Sequence, residues 1–246
     1  MNANDILQHL VDEKPSLNVH GGNTHNWRMQ RPILEWIAAT ICEDWTTLET
    51  GAGYTTTLFA ASNCNHTTIS PSAPEHQRIA QWCESHGVSA NNINFIAEPS
   101  QNILPGLETG PLDLVLIDGA HAWPFPYLDW YYTAENLKVG GYMIVDDLNI
   151  MTGEHLFDFL KGEESAGRWQ LEHVIDHTAV FTKMSEELFG PNEWHSQPYL
   201  LDESRKRAWK WTSDPKRKLK SLLKKSDYLY HKFSKDSKLG DPNRGF

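Results

Sequence analysis

The sequence lacks the features that mark membrane-spanning and exported proteins. No stretch approaches the ~20 uninterrupted apolar residues that a helix needs to cross a bilayer. The first residues, MNANDILQHLVDEKPSL, lack the basic segment followed by an apolar run that is typical of a secretory signal. Three cysteines, Cys42, Cys64 and Cys83, are odd in number and widely spaced, which fits no metal-type pairing. We therefore expect a cytoplasmic protein with reduced, structural thiols.

Positive charge is scarce in most of the chain and is concentrated at its end. Residues 203–246 contain 14 of the 22 Lys and Arg residues but only 5 of the 32 Asp and Glu residues. The first 202 residues therefore carry a net charge of −19, and the last 44 carry +9. Because the body is acidic, no nucleic-acid partner is expected. The basic tail is expected to bind either an anionic partner or the acidic body itself.

Strand-like and helix-like segments alternate along the middle of the chain. Strands are predicted at 46–51, 66–70, 93–98, 112–118 and 141–147, with helices between them, including one over about 125–138. Two further strand-like runs, 169–178 and 179–184, leave no room for a crossover helix and should pair antiparallel. The pattern predicts an α/β, Rossmann-like, doubly wound fold whose mostly parallel, seven-stranded sheet ends in an antiparallel hairpin.

A glycine turn follows the first strand of this pattern, in LETGAGYTT (48–56). Ligands of doubly wound sheets bind outside the carboxyl ends of the strands, and Gly51 and Gly53 allow the backbone to approach such a ligand closely. Thr56 stands where a dinucleotide-binding motif has its third glycine. Glu49 suits a cationic ligand group and would repel a diphosphate. These residues favour S-adenosylmethionine (SAM), with its sulfonium and ammonium groups, over a nicotinamide dinucleotide.

Acidic residues end the fourth and fifth strands, where Asp118 precedes Gly-Ala-His121 and Asp146 precedes Asp147. Both segments should open on the same edge of the sheet as the glycine turn. Three converging carboxylates repel one another unless they are protonated or neutralised, and Mg²⁺ or another divalent cation would do this. His121 adds a group that titrates near neutral pH. The alternative is that Asp118 and Asp146 only cap the helices that follow them.

Both motifs resemble those of a known family. LETGAGYTT resembles the first motif of class I SAM-dependent methyltransferases, and LVLIDGAHAW with LKVGGYMIVDDL is similar to their metal-dependent O-methyltransferase branch, which carries an IDGxH motif. The resemblance covers about residues 34–184. It implies cofactor contacts from Glu49, Gly51, Gly53, Thr55, Ser70, Glu98 and Asp118, metal ligands Asp118, Asp146 and Asp147, and catalytic roles for Asp118 and for His121 as general base. Ser70 departs from the family, which usually has Asp or Glu there on the ribose hydroxyls.

The resemblance also implies a division of the chain. Residues 31–185 form the SAM-binding methyltransferase domain, residues 1–30 an N-terminal segment that can act as a lid, and residues 186–246 a basic, partly helical C-terminal extension. The expected function is SAM-dependent, Mg²⁺-assisted O-methylation of a hydroxylated small molecule or a sugar. Two alternatives stay open, a catalytically silent SAM- or nucleoside-binding interaction module and an NAD-dependent oxidoreductase. The sequence does not decide the acceptor or whether the chain forms a homo-oligomer.

Overall fold

The computed structural model describes residues 1–20, 22–25, 28–189 and 197–201. Contacts divide the chain into two units, Met1–Asn192 and Glu193–Phe246. The fold and the cavity described below belong to the first unit. The basic tail at 203–246 lies outside the described residues, so its expected binding role stays a prediction.

Among the described residues, seven strands form one sheet. They are β3 (Thr46–Thr50), β4 (Asn65–Ile69), β5 (Ile93–Ile96), β6 (Leu112–Ile117), β7 (Leu137–Val145), β8 (Trp169–Ile175) and β9 (Thr178–Lys183), and they follow β1 (Asn18–His20) and β2 (Asn23–His25), which form a separate antiparallel hairpin. The strand order is β5-β4-β3-β6-β7-β9-β8, with β3 to β7 parallel and β9 antiparallel to both of its neighbours. The predicted mostly parallel sheet with a terminal antiparallel hairpin is confirmed.

Helices cover both faces of this sheet. They are α1 (Ala3–Glu13), α2 (Arg31–Thr40), α3 (Tyr54–Ala61), α4 (Ala73–Ser85), α5 (Ser100–Ile103), α6 (Phe125–Ala134) and α7 (Met151–Glu163), with 3₁₀ turns at Leu104–Gly106 and Glu164–Ala166. On β6, Leu114 and Leu116 belong to the core shared with α1 to α4, whereas Val115 and Ile117 belong to the core shared with α6 and α7. Successive side chains of a strand point to opposite faces, so both faces of the central strand are buried.

The N-terminal residues are more structured than their polar composition indicates. Helix α1 begins after Asn2, whose side chain accepts from the Asp5 amide while the Asp5 carboxylate accepts from the Asn2 amide. Ile6 and Leu10, one helical turn apart, are fully buried beneath it. The prediction of an N-terminal segment without a helix was therefore wrong.

One boundary also differs from the sequence pattern. Helix α6 ends at Ala134, and strand β7 begins at Leu137. The predicted helix to about 138 and the predicted strand start at 141 were therefore wrong. Gly140 and Gly141 lie within this long strand, and glycines in a strand weaken the strand pattern in a sequence.

The remaining expectations concern membranes and thiols. No helix of the described residues is long and apolar enough to cross a membrane. The three cysteines are free thiols, of which Cys64 and Cys83 are buried and Cys42 is exposed. Burial raises the pKa of Cys64 to about 11 and that of Cys83 to about 12, so both thiols stay protonated at neutral pH.

Candidate active site

The strand order reverses between β3 and β6, and their main chains meet where both strands end. Helix α3 packs on one face of the sheet and α6 on the other, which opens a crevice at this point. Gly51 has a φ of +92°, and a Cβ built on it would lie 2.2 Å from the carbonyl oxygen of Asp118. Any side chain at position 51 would therefore clash with the backbone that follows β6.

A cavity of about 1030 Å³ opens at this crevice. Its lining residues come from β1, from the segment before α2, and from the loops that follow β3, β4, β5, β6 and β7: Asn18, Val19, Arg28, Met29, Gln30, Thr50, Gly51, Ala52, Gly53, Tyr54, Thr55, Ile69, Ser70, Pro71, Ser72, Glu75, Pro99, Ser100, Gln101, Asp118, Gly119, Ala120, His121, Phe125, Asp146 and Asp147. All the residues expected at the site are among them except Glu49 and Glu98. The volume lies at the upper end of the usual range for small-molecule pockets.

Glu49 lies beneath the glycine turn and does not line the cavity. Its carboxylate accepts hydrogen bonds from the hydroxyls of Thr55 (2.5 Å), Thr56 and Thr68 (2.7 Å), and the Nε2 atom of His66 lies 3.3 Å away. Burial alone would raise the pKa of Glu49, but the hydrogen bonds and charge of His66 and the two threonine hydroxyls together lower it. This carboxylate holds the turn and the start of α3 in place.

Glu98 is also outside the cavity lining. Strand β5 ends at Ile96, and Glu98 is exposed on the loop that follows. Ser100 and Gln101 of α5 line the cavity on this side instead. The structure therefore does not place Glu98 where the resemblance put a contact near the adenine.

Glu75 supplies a carboxylate beside Ser70, and the sequence analysis missed it. The Ser70 hydroxyl donates to Glu75 Oε2 at 2.5 Å, while the Asn18 side chain and the Val19 amide each lie 3.2 Å from Glu75 Oε1. Burial raises the pKa of Glu75, against the opposing effect of these hydrogen bonds. The signal was present in Ser72, whose side chain caps α4 and so brings its third residue back to the strand end.

The acidic residues after β6 and β7 converge with His121 on the opposite side of the cavity. One possible ligand atom from each of Asp118, His121 and Asp147 lies within 4.8 Å of the others. His121 Nε2 is 3.1 Å from Asp147 Oδ2, and Asp146 Oδ1 accepts from the Thr178 hydroxyl. Three of the groups expected there therefore meet directly, and Asp146 lines the same cavity.

Electrostatic strain marks this cluster. Burial raises the pKa of Asp118 well above its usual range, and the charges of Asp146 and Asp147 raise it further. Burial also raises the pKa of Asp146, with the Thr178 hydrogen bond opposing it. Oxygen-rich donor sets of this kind fit a hard divalent cation, which would relieve the repulsion.

The two aspartates do not act as helix caps. The residue that precedes α6 is Pro124, and the residue that precedes α7 is Ile150. The alternative that Asp118 and Asp146 only cap these helices is therefore wrong. The loop that carries His121 is held instead by Thr152 of α7, whose hydroxyl donates to the His121 carbonyl at 2.6 Å.

Solved structures of known methyltransferases share this fold. The cofactor-bound protein Rv0187 from MTB is 14% identical with a TM-score of 0.58, and the match covers 74% of this chain and 90% of that chain. The O-methyltransferase NovP is 12% identical with a TM-score of 0.58 (74% and 98% covered). The O-methyltransferase TomG from Streptomyces achromogenes, involved in tomaymycin synthesis and solved with SAM, is 16% identical with a TM-score of 0.52 (74% and 89% covered).

A family match covers the part of the chain that builds the cavity. Residues 48–148, from within β3 to beyond β7, match a family described as a methyltransferase domain. These findings support a SAM-dependent methyltransferase. No curated protein matches the sequence. The matched segment contains the Gly51 turn, Glu75 and the whole acidic cluster.

Proposed function

We propose that this protein transfers a methyl group from SAM to a hydroxyl group of a small molecule or a sugar, with the help of Mg²⁺ or another divalent cation. The proposal depends on one observation. A single cavity joins the bare backbone at Gly51 to the cluster of Asp118, His121 and Asp147. A methyl donor and a metal-bound acceptor would therefore lie side by side.

The charge of the cavity supports SAM as its ligand. Among the described lining residues are four carboxylates, those of Glu75, Asp118, Asp146 and Asp147, and one guanidinium, that of Arg28. Such a lining attracts a sulfonium and an ammonium group and repels a diphosphate. It therefore favours SAM over the nicotinamide dinucleotide of the oxidoreductase alternative.

We assign the cofactor to the side of the cavity formed after β3 and β4. Gly51 and Gly53 leave room for the ligand against the backbone, and Thr55 lies at the start of α3 beside them. Ser70 and Glu75 stand where a ribose would need acceptors for its hydroxyls, and the carboxylate of Glu75 makes the stronger hydrogen bonds. Glu75 thus compensates for the missing acid at position 70.

We assign the acceptor to the side formed after β6 and β7. When bound, SAM supplies an electrophilic methyl group, and a divalent cation held by Asp118, Asp146 and Asp147 lowers the pKa of an acceptor hydroxyl. Asp147 orients the His121 ring because its Oδ2 atom lies 3.1 Å from Nε2. With the Nε2 proton donated to Asp147, the Nδ1 atom is the one that receives the acceptor's proton.

The N-terminal segment completes the cavity, which supports a lid role for residues 1–30. Asn18, in β1, and Arg28, just before α2, both line the cavity and flank the β1–β2 hairpin. The Asn18 side chain also donates to the carbonyl of Ala52, within the glycine turn, at 2.9 Å. A bound cofactor would therefore contact the segment that must move to admit it.

Methyl transfer from labelled SAM to a panel of hydroxylated acceptors tests the proposal. The wild-type protein should methylate at least one phenol, catechol or sugar hydroxyl, and a chelator should remove this activity. Asp147→Asn, which removes a metal ligand and the partner of His121, should lower turnover by at least about 100-fold.

The matched control is Asp44→Asn, which neutralises an exposed aspartate before β3 and should leave turnover unchanged. Full activity of Asp147→Asn in the presence of chelator would refute the metal assignment while leaving SAM binding intact. Turnover on amine or thiol acceptors alone would refute O-methylation.

A further inference from the structure

A second cluster of metal-ligating side chains lies on the surface where the ends of α1 and α4 meet. His9 Nδ1 is 3.0 Å from Glu13 Oε1, and His86 Nε2 is 2.9 Å from the same oxygen. One possible ligand atom from each of the three side chains lies within 4.8 Å of the others. His9 and Glu13 are four residues apart and so share one face of α1, while His86 immediately follows α4.

The hydrogen bonds of His86 orient its ring as those of a metal-bound histidine are oriented. Its Nδ1 atom lies 2.8 Å from the main-chain carbonyl oxygen of Trp82, which can only accept, so Nδ1 carries the proton. Nε2 then presents its lone pair to a carboxylate oxygen of Glu13. That contact is favourable only if the ring takes up a second proton or if a cation lies between the two atoms. Histidine ligands of metals commonly donate their other ring N–H to a carbonyl in this way.

The carboxylate of Glu13 is oriented as well. Trp82 Nε1 donates to Glu13 Oε2 at 3.2 Å, and the Trp82 ring stacks on the His86 ring with their centroids 4.1 Å apart. Oε1 is thereby directed at the two imidazoles. Three side chains are thus held with their ligand atoms facing a common point.

We propose that His9, Glu13 and His86 form a second divalent-cation site, selective for a borderline ion such as Zn²⁺. Two imidazole nitrogens and one carboxylate oxygen are a donor set that Zn²⁺ prefers, whereas the all-carboxylate side of the active-site cavity suits Mg²⁺. The side chain of Glu13 is 41% exposed, so water has access to complete the coordination. The site is separate from the proposed methyl-transfer chemistry and does not depend on it.

An ion at this site would fasten α1 to α4 and so steady the segment that enters the active-site cavity. Arg78 of α4 donates to the carbonyl of Ser16 at 2.7 Å, and Asn18 follows two residues later in the cavity lining. A metal that binds the folded protein alone would stabilise it in proportion to its occupancy. The class of ligand is thus a structural transition-metal ion.

Zn²⁺ titration of an Asp147→Asn background, which removes one ligand of the active-site cluster, isolates this site. Zn²⁺ should raise the melting temperature by roughly 5–10 °C when its free concentration is about 100 times the dissociation constant. His9→Gln in this background should abolish most of the shift and weaken Zn²⁺ binding at least about tenfold in calorimetry. His155→Gln, which alters a histidine of α7 outside both clusters, should keep the full shift.

Chemical modification of histidines in the unaltered protein gives a second readout that needs no variant to fold. Bound Zn²⁺ should protect His9 and His86 from diethyl pyrocarbonate, as mapped by mass spectrometry, with His155 modified equally in both samples. Failure of Zn²⁺ to protect these two residues would overturn the proposal. So would Zn²⁺ binding that His9→Gln and His86→Gln both leave unchanged.

Discussion

The two sides of the cavity handle buried negative charge in opposite ways. Beneath the β3 turn, Glu49 is surrounded by hydroxyl donors and His66, and its pKa is lowered despite its burial. Beyond β6 and β7, burial and the neighbouring carboxylates Asp146 and Asp147 raise the pKa of Asp118 instead. The first carboxylate is balanced by the protein itself. The second has a deficit of positive charge that a ligand can fill, which is why we assign the cation to that side.

The largest expected effect lies at the point where the two sides touch. Gly51→Ala should lower the free energy of unfolding by about 3 kcal/mol or more, because the residue has a positive φ and its Cβ would overlap the Asp118 carbonyl. Urea denaturation measures this loss. Gly167→Ala is the control, since Gly167 has a φ of +70° but no atom within 4 Å of its Cβ position, and it should cost only about 1 kcal/mol. Equal losses in the two variants would show that the close approach of β3 and β6 is unimportant.

A smaller effect is expected at the ribose carboxylate of the cofactor side. Glu75→Gln should weaken SAM binding about 10–100-fold, because it removes a charged acceptor while keeping an oxygen for Asn18 and Val19. Isothermal titration calorimetry measures the affinity. Ser70→Ala removes a neutral hydroxyl and should weaken binding less than tenfold. A greater loss in Ser70→Ala than in Glu75→Gln would contradict the role assigned to Glu75.

The smallest effect, and the one of opposite sign, is expected on the metal side. Asp118→Asn should raise the free energy of unfolding of the metal-free protein by about 1 kcal/mol at neutral pH, because it removes a repelled, buried charge. The gain should shrink as the pH falls through the raised pKa of Asp118, since the folded wild type then binds a proton there and loses the repulsion. Denaturation at several pH values with chelator present measures this. A loss of stability at neutral pH would show that the cluster is not electrostatically strained.

The sheet could be predicted from the sequence because its strands leave a local pattern. LDLVLI and YMIV are nearly continuous apolar runs since both faces of β6 and β7 are buried. Helix α1 escaped because its short apolar set, Ile6, Leu7 and Leu10, is embedded in polar residues. Its capping pair, Asn2 and Asp5, was the available signal.

The site could be predicted only where its residues directly end a strand. Gly51, Asp118 and Asp147 follow strands at once, so the parallel sheet brings them to one edge. Glu75 reaches the cavity from the first turn of α4, and Asn18 enters from a hairpin far along the chain. Such contacts depend on how helices and loops pack, which no spacing in the sequence records.

A crystal structure of the protein with SAM and Mn²⁺ bound tests the division of the cavity most directly. Anomalous scattering should locate Mn²⁺ among Asp118, Asp146 and Asp147, with the sulfonium beside Gly51 and the ribose hydroxyls on Glu75. A metal bound only outside the cavity, or a nucleoside lying across the acidic cluster, would contradict it.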